Sequence, residues 1–370
     1  MDVMPKVVRQ RVGFLDQFRG MAILAVFLGH ALNVSIGEDF GDLRKSIPEF
    51  LFRLVPVLMQ CFCDAGVPIF FIVSGFCIHM SFHQQGRDWR SFFIRRFFRI
   101  YPPYLLAVLL FAVVFPLTRF DIITGWWQMA YHLLLIHNLN AGASGGINPS
   151  FWTIGVEVQL YLLYPLVLAL ATRLGWPGIL CGLAALELGL RTACIIHPGF
   201  LNDYWFMGSP FFYWFSWSLG AALADAYLHG RTPPLVKFSP GLWLVLAVVC
   251  YHVAPLKIFV FPIYAVLTTI IIGRILTGTA PEFRVPQFCR EHLRITGVCS
   301  YSIYLLHQPI MAALSVALNS WFINPVLVYL ACVFSWLVIM PLGWLWWRFL
   351  ELPSIAWGKQ IIQRIEQRQP

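Results

Sequence analysis

The chain has 370 residues, of which 59% are hydrophobic and only 12% charged, and its mean hydropathy is +0.71. Soluble domains carry roughly 25% charged residues, so this composition excludes a water-soluble enzyme and makes lipid the main solvent. The formal net charge of +9 is spread between apolar runs, which fits the loops of a membrane protein and not a nucleic-acid surface.

The basic N-terminal residues lead into a long apolar run with no small-x-small cleavage pattern before Glu38, as in a retained signal anchor. A spanning helix needs about 20 mostly apolar residues. Ten runs qualify: 14–36, 61–82, 101–118, 152–172, 176–196, 205–228, 240–256, 258–276, 295–318 and 323–348. An eleventh, from Trp126 to Leu139, is too short to cross and carries His132 and His137, so a re-entrant or interfacial helix is expected there. Residues 140–150, NAGASGGINPS, form a Gly/Ser/Asn loop before the next helix start. The fold class that follows is all-α: a polytopic membrane protein of about ten transmembrane helices plus the short one. It fills residues 1–370 as a single domain, with tails over about 1–13 and 349–370 and no fused extracytoplasmic domain. With both termini cytoplasmic, 20 of the 26 basic residues fall inside. Only Arg44, Lys45, Arg53, Arg119, Arg191 and Lys257 fall outside. The nine cysteines are scattered through apolar runs without metal or redox spacing and count as small hydrophobes.

Ionisable residues inside spans are costly and mark candidate functional positions. In LDQFRGMAILAVFLGH (15–30), Arg19 and His30 are eleven positions apart. They therefore lie within about 20° of one helical face and about 16 Å apart along it. Asp16 lies within about 40° of the same stripe. Arg19 serves either as a topology anchor or as part of a site. His30, near mid-membrane depth, is either a buried hydrogen-bonding residue or a general base, since a neutral imidazole accepts a proton near pH 7. In GVPIFFIVSGFCIHMSF (66–82), Ser74-Gly75 is a packing notch or a polar lining.

In RRFFRIYPPY (95–104), the i, i+1, i+4 spacing of Arg95, Arg96 and Arg99 puts two of them on one face. They are topology anchors or a phosphate-capturing set, for which arginine forks are suited. In PSFWTIGVEVQLYLLYP (149–165), Glu157 and Tyr161 share a face four residues apart. Glu157 needs a partner there, either an arginine that pins helices together or a substrate. His307, in YSIYLLHQPI (301–310), is a structural histidine bonded to a carbonyl or a further lining residue.

Taken together these stretches resemble the acyltransferase family 3 of integral membrane acyltransferases. The family's Arg or Lys, ten residues, then His is similar to Arg19…His30. Its Ser-Gly-Phe segment resembles FFIVSGF (70–76), and its Arg-Arg-x-x-Arg-Ile-x-Pro run resembles RRFFRIYP (95–102). Its Trp-Ser-Leu-x-Val-Glu segment resembles WTIGVEVQLYLLYP (152–165). Its late Tyr-Ser-x-Tyr-x-x-His-x-Pro resembles YSIYLLHQP (301–309), and its closing Glu-x-Pro resembles Glu351-Leu352-Pro353. Thr153 stands where Ser is usual, and Val158 where a second acidic residue is frequent, so Glu157 acts alone.

The resemblance implies transfer of an acyl group, acetyl favoured, from cytoplasmic acyl-CoA to a hydroxyl of a cell-surface polysaccharide or lipid-linked glycan. It implies the inner membrane as location, no tightly bound cofactor and no metal. It leaves open a separate extracytoplasmic transferase partner. On this basis His30 is expected as the base, Arg95, Arg96 and Arg99 as the grip on the CoA phosphates, and Arg19 as their neighbour or a support for the thioester arm. Glu157 is expected to orient His30 or the acceptor hydroxyl, with Asp16, Ser74, Tyr161 and His307 lining one tunnel narrowest at His30. The rival class is a transporter or flippase for a lipid-linked sugar, which also buries charged residues among its helices.

Overall fold

The computed structural model describes residues 13–36, 61–114, 125–280, 286–319 and 325–368. Residues 1–12 of the expected anchor and the loop around Glu38 lie outside them. Among the described residues every regular element is helical. The long helices are α1 (Phe14–Ile36), α2 (Gly66–Gln84), α3 (Trp89–Leu109), α4 (Trp126–Leu133), α5 (Trp152–Ile196), α6 (Trp214–Leu228) and α7 (Pro240–His252). They continue with α8 (Val260–Thr277), α9 (Gln287–Val298), α10 (Ser300–Asn319), α11 (Pro325–Phe334), α12 (Trp336–Trp346) and α13 (Leu352–Glu366). Shorter turns link them.

Seven described runs are long and apolar enough to cross a membrane: Phe14–Ser35, Cys61–Gln84, Trp89–Val114, Pro149–Ile196, Ala254–Thr277, Ser300–Leu318 and Val326–Glu366. The protein is an integral, all-α membrane protein. Several of the ten expected runs divide differently. Residues 152–172 and 176–196 are continuous in α5, which reverses at Gly175 (φ 68°, ψ 163°), a backbone state that disfavours any L side chain. Both ends of α5 reach the start of α6: Trp152 packs on Tyr213 at 5.5 Å, and the Arg191 guanidinium lies over Tyr213 at 5.8 Å. Its middle reaches the far end, where Tyr164 and Trp176 flank His79, itself 3.5 Å from Asp225. The two legs of α5 therefore run antiparallel. The runs 205–228 and 240–256 contain shorter helices, α6 with 15 residues and α7 with 13. The segment 126–139 holds an eight-residue helix, α4, too short to cross.

Two further differences move candidate residues. Helix α3 begins at Trp89, not near 101, because the Asp88 carboxylate caps it, accepting from the Arg90 and Ser91 amides at 3.2 and 2.8 Å. Arg95, Arg96 and Arg99 thus sit within the spanning run Trp89–Val114 instead of ahead of its start. The tail expected over 349–370 is helical to Glu366, and α13 lies along α3, where Ser354 Oγ donates to the Phe98 carbonyl.

The helices pack through close backbone approach where small residues permit it. A Cβ at Gly75 of α2 would sit 2.3 Å from the Trp217 carbonyl oxygen, and one at Gly220 of α6 would sit 2.1 Å from the Ile72 oxygen. Gly75 is therefore the packing notch of the Ser74-Gly75 pair, and Ser74 is free to face elsewhere.

Arg191, placed among the outer loop cations by charge counting, is instead 3% exposed. Its guanidinium donates to the Glu187 carboxylate at 3.1 Å and to the carbonyls of Ile258 and Phe212 at 2.6 and 2.7 Å. Glu187 also accepts from the Ser216 amide and hydroxyl. Removing one partner of such a pair strands a buried charge, at a cost of about 3–5 kcal/mol. Arg191→Ala is expected to lower the unfolding temperature in detergent by several degrees or more. A variant as heat-resistant as the wild type would show that the pair does not hold α5 to α6.

Candidate functional site

Two cavities run through the helical bundle and share the wall residues Val67 and Tyr304. The first, of about 270 Å³, is lined at one end by Arg19 of α1 and by Arg96 and Arg99 of α3. These residues converge because the arginines of α3 are at i and i+3, one helical turn apart. Arg96 donates to Ser81 Oγ at 3.1 Å and lies over the Phe92 ring at 5.8 Å, while its buried Nε has no partner among the described residues. Arg19 donates to the Asp16 carboxylate at 2.8 Å. Arg95 is absent from the lining. The facing pair is Arg96 and Arg99, not the i, i+4 pair Arg95 and Arg99.

Midway along this cavity α2 meets the first leg of α5. Ser74 Oγ donates to Glu157 Oε1 at 2.5 Å, and the Tyr161 hydroxyl donates to the same oxygen. The Tyr161 hydroxyl also lies 3.1 Å from Ser74 Oγ, and Trp217 Nε1 donates to that oxygen at 3.3 Å. The i, i+4 spacing of Glu157 and Tyr161 places both on the cavity face. Phe70, Phe71, Ile78 and Ile154 supply apolar wall around this polar station.

The second cavity, of about 350 Å³, contains His30 together with Asn33, Asp64, Trp152, Lys257 and Arg191. It combines flat aromatic surface, from Trp152, Tyr213 and Phe261, with polar groups of both charge signs. His30 Nδ1 lies 2.8 Å from His307 Nε2, and His307 Nδ1 lies 2.9 Å from the Tyr304 carbonyl. His307 is fully buried.

The structure thus brings Arg19, Arg96, Arg99, Ser74, Glu157 and Tyr161 to one cavity and His30 to the next, with His307 behind it. Asp16 lines neither cavity and serves Arg19. The lining expected of one tunnel falls on two cavities that share Val67 and Tyr304, and Glu157 is not the partner of His30: its hydrogen bonds go to Ser74 and Tyr161. A carboxylate at that depth finds local hydroxyl donors on α2 and α5, and the His30 ring is turned toward α10.

Sequence reasoning missed Tyr304 and Val67. Tyr304 holds the 150–153 segment to α10, donating to the Ser150 carbonyl at 2.8 Å and accepting from Thr153 Oγ1 at 2.7 Å. Its position three residues before His307 was a usable signal, since i and i+3 share a face. Val67, an ordinary apolar residue in an apolar helix, carried none.

Comparison with known proteins bears on what this geometry does. A family model described as an acyltransferase domain matches residues 12–345. The chain is 26% identical over 288 residues to a peptidoglycan O-acetyltransferase of Listeria monocytogenes, an alignment covering 66% of this chain and 44% of that protein. It is 25% identical over 357 residues to nodulation protein 10 of Rhizobium leguminosarum bv. viciae, covering 88% and 91% of the two chains. It is 27% identical over 329 residues to an acyltransferase of Streptomyces mycarofaciens, covering 82% and 79%. The chain thus spans less than half of the Listeria protein but most of the other two. No solved structure matches it.

Proposed function

The chain belongs to the acyltransferase family 3 of integral membrane enzymes, and from that premise we propose that it moves an acyl group, acetyl by preference, from acyl-CoA to a glycan hydroxyl. The observation that carries this proposal is the pair of cavities meeting at Val67 and Tyr304, with arginines at the far end of one and His30 in the other. Transfer to an alcohol needs a base for the hydroxyl proton, donors near the developing oxyanion, and a thioester held close to the attacking oxygen.

The arginine cavity suits the donor. Arg19, Arg96 and Arg99 present forked donors to the CoA phosphates, and the buried Nε of Arg96, without a partner among the described residues, adds one more donor. From Arg19 to His30 is about 16 Å along α1. An extended phosphopantetheine arm has a similar reach, roughly 15–20 Å from its bond lengths. Ser74, Glu157 and Tyr161, set partway along an otherwise apolar wall, meet the arm's amides. The thioester then lies at the junction of the cavities. The histidine cavity takes the acceptor: Trp152 and Tyr213 offer sugar-stacking surface, Asn33 and Asp64 offer hydrogen bonds, and His30 removes the proton. The peptidoglycan O-acetyltransferase among the relatives supports a glycan acceptor. In the cell the arginine cavity faces the cytoplasm, where acyl-CoA is made, and both termini lie on that side of the inner membrane.

The test is donor consumption. Membranes containing the protein, given acetyl-CoA labelled in the acetyl group and a surface glycan fraction, are expected to release free CoA and label the glycan. A flippase for a lipid-linked sugar consumes no acyl-CoA. Absence of protein-dependent CoA release would therefore remove the acyltransferase assignment of the donor cavity.

A further inference from the structure

Two imidazoles with interplanar angle 3° and centroids 5.1 Å apart, as in His30 and His307, have two possible arrangements. They lie face to face, or edge to edge in one plane. A five-membered ring of ~1.35 Å bonds has a radius of about 1.15 Å. Two such radii joined by the 2.8 Å contact between His30 Nδ1 and His307 Nε2 account for the whole centroid separation. The rings are therefore coplanar and joined by an in-plane hydrogen bond, the direction in which ring-nitrogen lone pairs point.

The direction of that bond follows from the next group. His307 Nδ1 lies 2.9 Å from the Tyr304 carbonyl oxygen. A carbonyl only accepts, so His307 Nδ1 carries the proton. In a neutral imidazole the other nitrogen is then bare, so His307 Nε2 accepts. The proton of the His30–His307 bond must sit on His30 Nδ1. It follows that His30 Nε2 is unprotonated, on the edge of the ring turned away from buried His307 and open to the cavity that His30 lines. In water neutral histidine prefers the opposite tautomer.

We infer that His307, oriented by the Tyr304 carbonyl, is a positioning residue that locks His30 in the Nδ1–H tautomer and so makes Nε2 the proton acceptor for a hydroxyl entering from the histidine cavity. This rests on the proposed role of His30 as base. The step balances without another reactant. The hydroxyl oxygen forms its bond to the acyl carbon and its proton passes to His30 Nε2. The acyl carbon–sulfur bond breaks, and the proton on Nε2 goes to the departing thiolate, giving CoA thiol. While His30 is charged, its Nδ1–H keeps donating to His307, which spreads the charge over two rings. The proton travels no further, because His307 Nδ1 already holds one and the carbonyl beyond takes none.

The experiment pairs kinetics with spectroscopy on the full-length protein, using acetyl-CoA and the glycan fraction. His307→Ala is expected to lower kcat on the order of 10²-fold or more, as in other bases left in the wrong tautomer, with the acetyl-CoA KM within about threefold. His307→Gln, whose amide oxygen falls near the position of Nε2 and accepts from His30 Nδ1–H, is expected to recover at least about tenfold of that loss; a purely space-filling role predicts no such ordering. Nitrogen-15 spectra of histidine-labelled protein, assigned by difference with His30→Ala, are expected to show His30 protonated at Nδ1 and bare at Nε2.

Full activity in His307→Ala alongside an inactive His30→Ala would overturn the lock and leave the base assignment standing. Full activity in His30→Ala would overturn the base itself. A spectrum with His30 protonated at Nε2, or a His307→Gln variant no better than alanine, also overturns the lock. If His307→Ala fails to fold, the glutamine variant and the wild-type spectrum decide.

Discussion

Replacing His30 with alanine lowers acyl transfer by about 10²–10⁴-fold, the range a positioned general base contributes, while acyl-CoA binding changes by less than about threefold. The separation of the two effects is the informative part. His30 lines the histidine cavity, and Arg19, Arg96 and Arg99 line the other, so the substitution removes the proton acceptor without touching the phosphate grip. Among the described residues the His30 side chain is hydrogen-bonded to His307, and its loss leaves His307 Nε2 without that donor. The resulting destabilisation is on the order of 1–3 kcal/mol, small beside the effect on rate. Binding of a non-hydrolysable acyl-CoA analogue to purified His30→Ala, beside turnover in membranes, makes the comparison. A variant that binds the analogue and still transfers at near the wild-type rate would remove His30 from the chemistry. A variant that loses both would mean that the two cavities are one binding site.

Replacing Arg96 and Arg99 together with alanine raises the dissociation constant for acetyl-CoA by about 10²–10⁴-fold. Each charge-assisted hydrogen bond to a phosphate contributes about 1.5–3 kcal/mol, and every 1.4 kcal/mol is about tenfold in affinity. Arg95→Ala is the internal control. It stands on the same helix with the same charge but does not line the cavity, and it should change the constant by less than about threefold. Arg95→Ala and Arg96→Ala each remove one charge from the same helix and differ in geometry alone, so a nonspecific electrostatic attraction predicts equal effects and a built phosphate site predicts unequal ones. Equal weakening by Arg95→Ala and Arg96→Ala would leave these residues as anchors of membrane topology. The half-buried setting of Arg96 and Arg99 also makes their contribution less sensitive to salt than that of exposed basic loops.

Much of this site was legible in the sequence, for reasons that can be stated residue by residue. Arg19 and His30 share a stripe of α1 by helical arithmetic alone, and Arg19 and His30 do reach successive cavities along the bundle. Glu157 and Tyr161 share a face by the same arithmetic and do meet at one oxygen. Local rules of this kind survive folding because helix geometry within a span depends on the backbone, not on neighbours. The errors came where a boundary or a partner was needed. The start of α3 was missed because its first two turns are too charged to look like a span, although Asp88 supplies an ordinary cap. Arg191 was counted as an exterior charge because charge counting assigns each residue by its loop, and the Glu187 four residues before it was overlooked as its partner.

The sequence by itself determined that the chain is a bundle of apolar helices, that costly polar residues recur at a few depths, and which of them share a face. Hydropathy and the period of the helix are properties of single segments, and they need no knowledge of packing. Only the tertiary structure decided which faces meet. It set Glu157 against Ser74, set His30 against His307 across 277 positions of chain, and brought two cavities to a shared wall at Val67 and Tyr304. A lipid-facing helix surface and a bundle-facing one can be equally apolar, so residue type does not say which side turns inward. That choice is made by close packing, such as the backbone contact at Gly75 and Gly220. The partner of each buried polar group follows from the helix that the packing brings beside it.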